Sequence, residues 1–198
     1  MINPTLFIAY VNGPDLLLNA YKSYLPYFDD IRILNNSLSP LEGDYSGAKV
    51  TDMRVSLNTG QSFNWFRSVA IEEEMDYFFW SHHDCVVTPE QIERTKDYLK
   101  SIEDPRWGIV FTHYDVFCAF NTQALKEVGG WDTLRFQYYT GDKDLYHRFD
   151  RAGWNKHDIG GEGVTHFPSS TMNHTKERMQ IVNRIARVED EFYKEKWG

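Results

Sequence analysis

The sequence predicts one α/β domain, a sandwich in which helices cover a mixed, mostly parallel central sheet. Three observations predict it. Short apolar runs alternate with helical patterns along the chain, as in strand–helix–strand units. The 198 residues are enough for one substantial hydrophobic core, but the chain is short for two domains with separate cores. Hydrophobic residues make up 41% of the chain and aromatic residues 16%, which is a globular composition, so residues 1–198 are treated as a single domain.

The first half of the chain predicts four strands and two helices. The apolar run Leu-Phe-Ile-Ala-Tyr-Val is closed by Asn-Gly-Pro-Asp, so it reads as a buried strand followed by a loop. Apolar residues then recur at helical spacing, with Pro26 near the end of the segment. Strands are predicted at residues 6–11, 31–37, 48–57 and 76–82, and helices at residues 16–28 and 60–75.

The second half begins with a clear helix signal. Thr88 is placed to cap a helix, Pro89 fits the first helical position, and Gln91 stands where a capping box requires Glu or Gln. The later pattern predicts a strand at residues 108–114, helices at 122–130 and 142–154, and a closing amphipathic helix from about residue 175. The apolar stripe of that helix, expected to face the core, consists of Ile181, Ile185, Val188 and Phe192.

Charge and cysteine content exclude some classes of protein. A formal net charge of −8 and a pI near 5.3 argue against a protein that binds duplex nucleic acid, since such binding depends on Lys and Arg neutralising phosphates. Cys85 and Cys118 fit neither a metal-binding spacing nor a disulfide framework, so both are expected to be free thiols. No stretch approaches the ~20 apolar residues of a membrane span, and the N-terminus has no basic leader. We therefore expect a cytoplasmic protein without a transmembrane segment.

Polar residues follow several predicted strands, where ligands bind in open α/β sheets. Within Ser-His-His-Asp, His82 and Asp84 are two residues apart, so on an extended segment both could ligate one cation. Taken alone, this pattern favours an ordinary strand exit. The polar residues that follow strands are Asn12, Asn35, Asn36, His82, His83 and Asp84.

Three further segments carry polar side chains. Asp142 and Asp144 stand at a predicted helix start, where the helix dipole stabilises negative charge, and alone they are explained as helix-capping residues. The segment from Asn58 to Arg67 is not a P-loop, but it could present amides and a guanidinium to a diphosphate. The loop at residues 163–174 is rich in His and hydroxyl groups and could bind an anion or a cation. Four basic residues of the closing helix, Lys176, Arg178, Arg184 and Arg187, are read as a solvated face.

Taken together and in order, these segments resemble the family 2 glycosyltransferases of the GT-A fold. The matching segments are AYVNGPDLLLNAYKSYL, ILNNS, LNTGQSFNWFRSVA, FFWSHHDCVVTPEQI, CAFNTQALKEVGGWDTLRFQYYTGDKDLYHRFDRAGW and GVTHFPSS. The resemblance runs from about residue 6 to residue 174. It implies a Rossmann-like GT-A sandwich that transfers a sugar, with inversion, from a nucleotide-sugar donor to an acceptor hydroxyl.

The resemblance also implies roles for individual residues. Asp142 takes the place of the catalytic base. Asp84, with His82 and His166, takes the place of the ligands of a divalent cation, Mn²⁺ or Mg²⁺. The donor, expected to be a UDP-sugar, would be bound by Tyr10, Asn12, Asn35, Asn64, Arg67, His82, Trp131 and Asp132. The acceptor stays open among glycan, lipid, protein and modified nucleic acid.

Three positions depart from the family pattern. His82 replaces the first Asp of the Asp-x-Asp motif, Gly141 replaces the Glu before the catalytic Asp, and Asn35 replaces an Asp. Each change removes a carboxylate, which weakens the expectation of metal dependence. The losses favour one alternative, a non-catalytic module that binds nucleotide-sugars or glycans.

Two other enzyme classes are less well supported. A metal-dependent hydrolase could use His82, His83 and Asp84 with His113 and His166, but the spacings typical of such sites are missing. A nucleotidyltransferase would need a Gly-rich, Arg-containing loop after the first strand, and Val-Asn-Gly-Pro-Asp does not supply one.

Overall fold

The structure is a computed structural model that describes residues 4–137, 139–167 and 176–198, except for the side chains of residues 176–179. The strands are β1 Thr5–Tyr10, β2 Asp30–Asn35, β3 Ala48–Asp52, β4 Tyr77–His82, β5 Cys85–Val87, β6 Trp107–Thr112, β7 Tyr114–Asn121, β8 Asn155–Asp158 and β9 Val164–His166. The helices are α1 Pro14–Tyr24, α2 Thr59–Glu72, α3 Pro89–Ser101, α4 Thr122–Val128, α5 Gly141–Ala152 and α6 Lys176–Trp197.

A seven-stranded central sheet confirms the predicted fold class. Its strand order is β3-β2-β1-β4-β7-β6-β8, and β5 pairs with β9 in a separate two-stranded sheet. The β3-β2-β1-β4 half is parallel, β7 runs antiparallel to both of its neighbours, and β8 is parallel to β6. The carboxyl ends of β1, β2 and β4 therefore meet at one edge, as the sequence predicted.

The core lies on both faces of this sheet because alternate residues of each strand point to opposite sides. On β1, Leu6 and Ile8 join the cluster that packs on α1 and α3, whereas Phe7 joins the cluster beneath α2, α4 and α5. The central strands β1 and β4 are buried on both sides, which explains why they read as continuous apolar runs in the sequence, whereas the edge strand β3 is largely exposed.

Helix-terminal residues behave largely as the sequence predicts. The Thr88 side chain accepts a hydrogen bond from the N–H of Gln91 at the start of α3. The Gln91 side chain completes no capping box, because it donates instead to the carbonyl oxygen of Gly160 at 3.1 Å. Gly153 ends α5 with a φ of 74°, a left-handed conformation that glycine adopts without strain.

The largest error of the sequence prediction lies between α3 and α4. The single strand expected at residues 108–114 is two strands, β6 and β7, that form an antiparallel pair around His113. Tyr114 turns the chain with a φ of 51°, without the Gly or Asn that usually marks a tight turn. The short strands β5, β8 and β9 were also not predicted.

The predicted closing helix is confirmed as α6, but its apolar stripe does not face the core. Ile181, Val188 and Phe192 are 57%, 52% and 40% exposed, while Val182 and Glu189 are the buried side chains among those described on this helix. The hydrophobic pattern therefore predicted the helix and misassigned its packing face. No helix in the described parts of the chain is both long and apolar enough to cross a membrane.

Candidate functional site

A cavity of about 600 Å³ opens at the carboxyl ends of β1 and β4. The N-terminal ends of α2 and α5 form two of its walls, and the aromatic side chains of Phe63, Trp80 and Phe120 lie deep in it. Polar groups reach it from the sheet edge and from α5. A mainly apolar concavity with a few convergent polar groups is the usual form of a small-molecule site.

The three predicted metal ligands, His82, Asp84 and His166, lie together in this cavity. Asp84 Oδ1 is 4.0 Å from His82 Nδ1 and 3.3 Å from His166 Nε2. One ligand atom from each of the three residues can be chosen so that all lie within 4.8 Å of one another. Two imidazole nitrogens and a carboxylate oxygen are a suitable ligand set for a divalent metal, so this group could hold one.

The local fold explains how this group forms. Residues 83 and 84 make the turn between β4 and β5, so His82 and Asp84 converge across a turn rather than along an extended strand. The pairing of β5 with β9 sets Cys85 opposite His166, and the N–H of Phe167 donates to the carbonyl oxygen of Asp84 at 2.9 Å. His83 is used differently, since its Nδ1 lies 3.1 Å from the carbonyl oxygen of Ala9.

Electrostatics keep two members of this group in the protonation state that a metal needs. Burial lowers the pKa of His82 to about 4, against a smaller opposing effect of Asp84, so the ring is neutral at pH 7. Burial acts to raise the pKa of Asp84, but the hydrogen bond from His166 and the neighbouring imidazoles outweigh it and hold the pKa below its usual value. The resulting neutral imidazole and carboxylate are the metal-binding forms.

A pair of carboxyl groups, Asp115 and Asp142, lines the same cavity. Tyr114 donates a hydrogen bond to Asp142 Oδ2 at 2.5 Å, and Tyr146 donates to Asp115 Oδ2 at 2.9 Å. Burial raises the pKa of Asp142 to about 6, and the charge of Asp115 adds to the effect. Burial also raises the pKa of Asp115 to about 6.

These pKa values refine one expectation from the sequence. The helix start was expected to keep Asp142 ionised; burial and the charge of Asp115 raise its pKa to about 6, so the carboxylate is still mostly ionised at pH 7. Asp142 is consequently a stronger base than an ordinary aspartate.

Trp131 explains the glycine found before Asp142. A Cβ atom on Gly141 would lie 1.1 Å from Trp131 Nε1, so the indole occupies the space that a side chain at position 141 would need. Asn64 fixes this arrangement, because it accepts from the N–H of Trp131 at 2.7 Å and donates to its carbonyl oxygen at 2.9 Å. Trp131 thus lines the cavity, and Asn64, which does not line the cavity, holds the Trp131 backbone in place.

Besides Asn64, three predicted donor-binding side chains bond within the protein and do not line the large cavity. Asn35 donates to Asp52 and to the carbonyl oxygen of Ser39, both at 2.7 Å. Arg67 donates to the carbonyl oxygen of Leu125 at 3.0 Å. Asp132 pairs with Arg135 and Lys196 on the surface side of the Trp131 loop. Their contact with a donor stays a prediction.

The remaining predicted residues lie in other places. Tyr10 and Asn12 line a smaller cavity beside the first one, together with Ser37 and Glu42. His113, considered for a hydrolase, is exposed at the β6–β7 turn and does not join the group of potential metal ligands. Residues 168–174 of the predicted binding loop are outside the described parts of the chain.

Sequence reasoning missed Asp115 and Tyr139 and undervalued Asn36, all of which line the large cavity. Asn36 follows β2 directly, so its position was a usable signal. Its Nδ2 donates to Ser62 Oγ at 2.8 Å, and its Oδ1 is buried without a hydrogen-bond partner among the described residues. Asp115 gave no signal because strand β7 was itself not predicted.

Comparison with known proteins relates the fold, and not the sequence, to other chains. No protein-family model and no curated protein matches the sequence. The structure of residues 1–349 of S. aureus TarS is similar, with a TM-score of 0.54 at 8% identity, and the likeness covers 75% of this chain and 55% of that TarS fragment. The structure of a Desulfovibrio desulfuricans protein assigned as a nucleotide-diphospho-sugar transferase has a TM-score of 0.52 at 9% identity. The likeness covers 96% of this chain and 99% of that protein.

A third similar structure, the bifunctional IspDF of Campylobacter jejuni, has a TM-score of 0.52 at 11% identity and covers 81% of this chain and 50% of IspDF. The chain thus spans about half of the TarS fragment and of the IspDF chain, and 39% of the longer TarS chain. At these identities the likeness concerns architecture alone. The chain has the α/β sandwich fold that these structures share, one of them assigned as a nucleotide-diphospho-sugar transferase.

Proposed function

We propose that this protein transfers a sugar from a nucleoside diphosphate donor to an acceptor hydroxyl, with inversion at the anomeric carbon. The observation that carries the proposal is that Asp142 and the group of His82, Asp84 and His166 line the same cavity. Such a reaction needs a base for the hydroxyl and charge compensation for the diphosphate, and this cavity holds a candidate for the base and a group of side chains that could hold a cation.

The residues of the cavity divide the task. Asp142 accepts the proton of the acceptor hydroxyl while the hydroxyl oxygen forms the new bond to the anomeric carbon. The bond between that carbon and the diphosphate oxygen breaks on the opposite face. His82, Asp84 and His166 would hold a divalent cation, Mn²⁺ or Mg²⁺, which would neutralise the departing diphosphate. Tyr114, by donating a hydrogen bond to Asp142, orients the carboxylate.

Two unpaired polar atoms support the assignment of donor binding to this cavity, and a UDP-sugar is our first candidate for the donor. Trp131 Nε1 and Asn36 Oδ1 are buried and have no hydrogen-bond partner among the described residues, and both residues line the cavity. Buried polar atoms are costly when unpaired, so a ligand that pairs with them gains affinity and orientation. The hydroxyl groups of a sugar or a ribose both accept and donate such bonds.

The test is a survey of nucleotide-sugars with Mn²⁺ or with EDTA, measuring the release of nucleoside diphosphate. Water serves as the acceptor where none is known. The proposal expects release from at least one donor in Mn²⁺ and its loss in EDTA. A non-catalytic binding module would gain thermal stability from a nucleotide-sugar and release nothing. A nucleotidyltransferase would instead release pyrophosphate from a nucleoside triphosphate.

A further inference from the structure

We infer that Glu189, on α6, is a positioning residue that fixes the turn carrying Asp142. The inference rests on the proposed function, because it assigns Glu189 a role through the proposed base. α6 lies outside the central sheet, and no motif in the sequence connected it with the cavity.

The Glu189 carboxylate is bonded to the segment that leads into α5. Its Oε1 accepts from the N–H of Gln137 at 2.5 Å, and its Oε2 accepts from the N–H of Tyr139 at 2.8 Å. Oε2 also lies 3.3 Å from both the N–H and the hydroxyl of Thr140. One side chain thus accepts hydrogen bonds from three backbone N–H groups, those of Gln137, Tyr139 and Thr140, in the segment before α5.

Thr140 connects this contact with the start of α5. It is the N-cap residue of α5, yet its side chain makes no capping hydrogen bond to the helix. Its hydroxyl is directed to Glu189 instead. The orientation of the first turn of α5, where Asp142 is the second helical residue, therefore depends on a carboxylate from another helix.

A second contact from α6 holds the other side of the same turn. Asp144 is fully buried and accepts from Lys196 Nζ at 2.7 Å and from Trp197 Nε1 at 2.9 Å. Asp142 thus lies between two residues, Thr140 and Asp144, that α6 holds from outside. A displacement of either would move the Asp142 carboxylate relative to the cavity.

Burial of Glu189 is hard to explain by packing. Glu189 is 1% exposed, whereas the apolar Ile181 and Val188 of the same helix are more than half exposed. Burying a carboxylate is unfavourable unless hydrogen bonds compensate it, and here the compensation comes from the turn that leads to Asp142. An apolar residue at this position would serve packing better and would leave three N–H groups unpaired.

Glu191 provides the matched control. It lies two residues further along α6, its side chain is 77% exposed, and it contacts Lys194 at 3.2 Å within the same helix. Glu191→Gln and Glu189→Gln make the same chemical change, so a difference between them reports the contacts of Glu189. Glu189→Asp keeps the charge but shortens the side chain.

The experiment compares these variants in the whole chain by hydrogen exchange, nucleotide binding and donor turnover, well below the melting temperature. We expect Glu189→Gln to speed amide exchange of Tyr139 and Thr140 and to lower kcat by on the order of 10²-fold, because small misplacements of catalytic groups have effects of that size. Affinity for the nucleoside diphosphate should stay within about twofold. Glu191→Gln should match the wild type in exchange, affinity and turnover. Glu189→Asp should give exchange and turnover rates between those of the wild type and those of Glu189→Gln.

The inference is overturned if Glu189→Gln matches Glu191→Gln in exchange or in turnover. If Glu189→Gln does not fold, Glu189→Asp tests the same contacts with the charge kept. Faster exchange of Tyr139 and Thr140 and slower turnover than in Glu191→Gln are then expected, and wild-type behaviour of Glu189→Asp overturns the inference. If the wild type releases no diphosphate from any donor, the proposed function fails, while the exchange comparison still decides whether Glu189 fixes the turn.

Discussion

His166 Nε2 lies 3.3 Å from Asp84 Oδ1, although the two residues are far apart in the sequence. The contact follows from the pairing of the short strands β5 and β9, which sets Cys85 opposite His166. The resemblance to glycosyltransferases had implied this proximity, and the structure brings the residues together. Because His82 reaches the same point from the end of β4, the three side chains form a group that can be tested with metals directly.

The first prediction concerns the strength of metal binding. Asp84→Ala and His166→Ala should each lower the affinity for Mn²⁺ by at least about 10–100-fold, the effect of losing even an outer partner of a metal ligand. Titration calorimetry on the protein without nucleotide measures this. His113→Ala is the control, because His113 is exposed and outside the group. Affinity in Asp84→Ala equal to that of the control would exclude a metal site here.

The second prediction concerns which metal is bound. Mg²⁺ prefers oxygen ligands, whereas imidazole suits transition metals, so two histidines in a three-residue group disfavour Mg²⁺. Mn²⁺ should therefore bind more tightly than Mg²⁺, and Zn²⁺ more tightly than Mn²⁺. Competition between Mg²⁺ and Mn²⁺, followed by electron paramagnetic resonance of free Mn²⁺, gives the order. Displacement of bound Mn²⁺ by an equal concentration of Mg²⁺ would contradict it.

The third prediction concerns stability and pH. The pKa of Asp115 rises from 3.8 to about 6 on folding, so the folded state favours its protonated form. Stability from this group is therefore present below about pH 4 and is lost as pH rises through about 6. Asp115→Asn removes the cost of holding an ionised carboxylate in the folded state. At pH 8 this change should raise the free energy of unfolding by about 1–3 kcal/mol, and near pH 4 it should have little effect.

Urea unfolding of this variant at pH 4 and pH 8 measures the difference. Asp97→Asn is the control, because Asp97 is exposed and forms an i,i+3 pair with Lys100 of the kind that contributes little. An Asp115→Asn variant that is less stable than the wild type at pH 8 would show that Asp115 is a structural carboxylate.

Particular residues show what the sequence could and could not predict. The strands β1, β2 and β4 and helices α1–α5 were predicted because apolar periodicity, Thr88 and the glycines are local signals. β7 was not predicted because the turn at Tyr114 contains neither Gly nor Asn. Asp115, which lies on β7, was therefore not recognised as a site residue. Asn35 was chosen over Asn36 because the family pattern has an Asp at that position; both side chains are buried, and no local pattern shows that Asn36 is the one that reaches the cavity. The face of α6 was misassigned because a buried Glu189 contradicts the rule that charged residues face water.

The last prediction tests the proposed base through its pH dependence. With a pKa of about 6, Asp142 is ionised at neutral pH, so turnover should rise with pH through about 6 and level off above about 7. Asp115→Asn removes a nearby negative charge that helps to raise this pKa, so the rising limb should move to lower pH. Asp142→Asn should lower turnover by about 10²–10⁴-fold, the usual contribution of a general base.

Stability distinguishes this role from helix capping. A capping aspartate would cost ~0.5–2 kcal/mol of stability when replaced by Ala and would leave turnover intact. A buried base with a raised pKa predicts the reverse, because its ionised form destabilises the fold above pH 6. Asp142→Asn should therefore melt at or above the wild-type temperature at pH 8 while nucleotide affinity persists. Desolvation makes the Asp142 carboxylate more basic and also makes its ionised form unfavourable in the folded state. Asp142→Asn should therefore gain stability and lose turnover together. Wild-type turnover in Asp142→Asn would remove Asp142 from the mechanism.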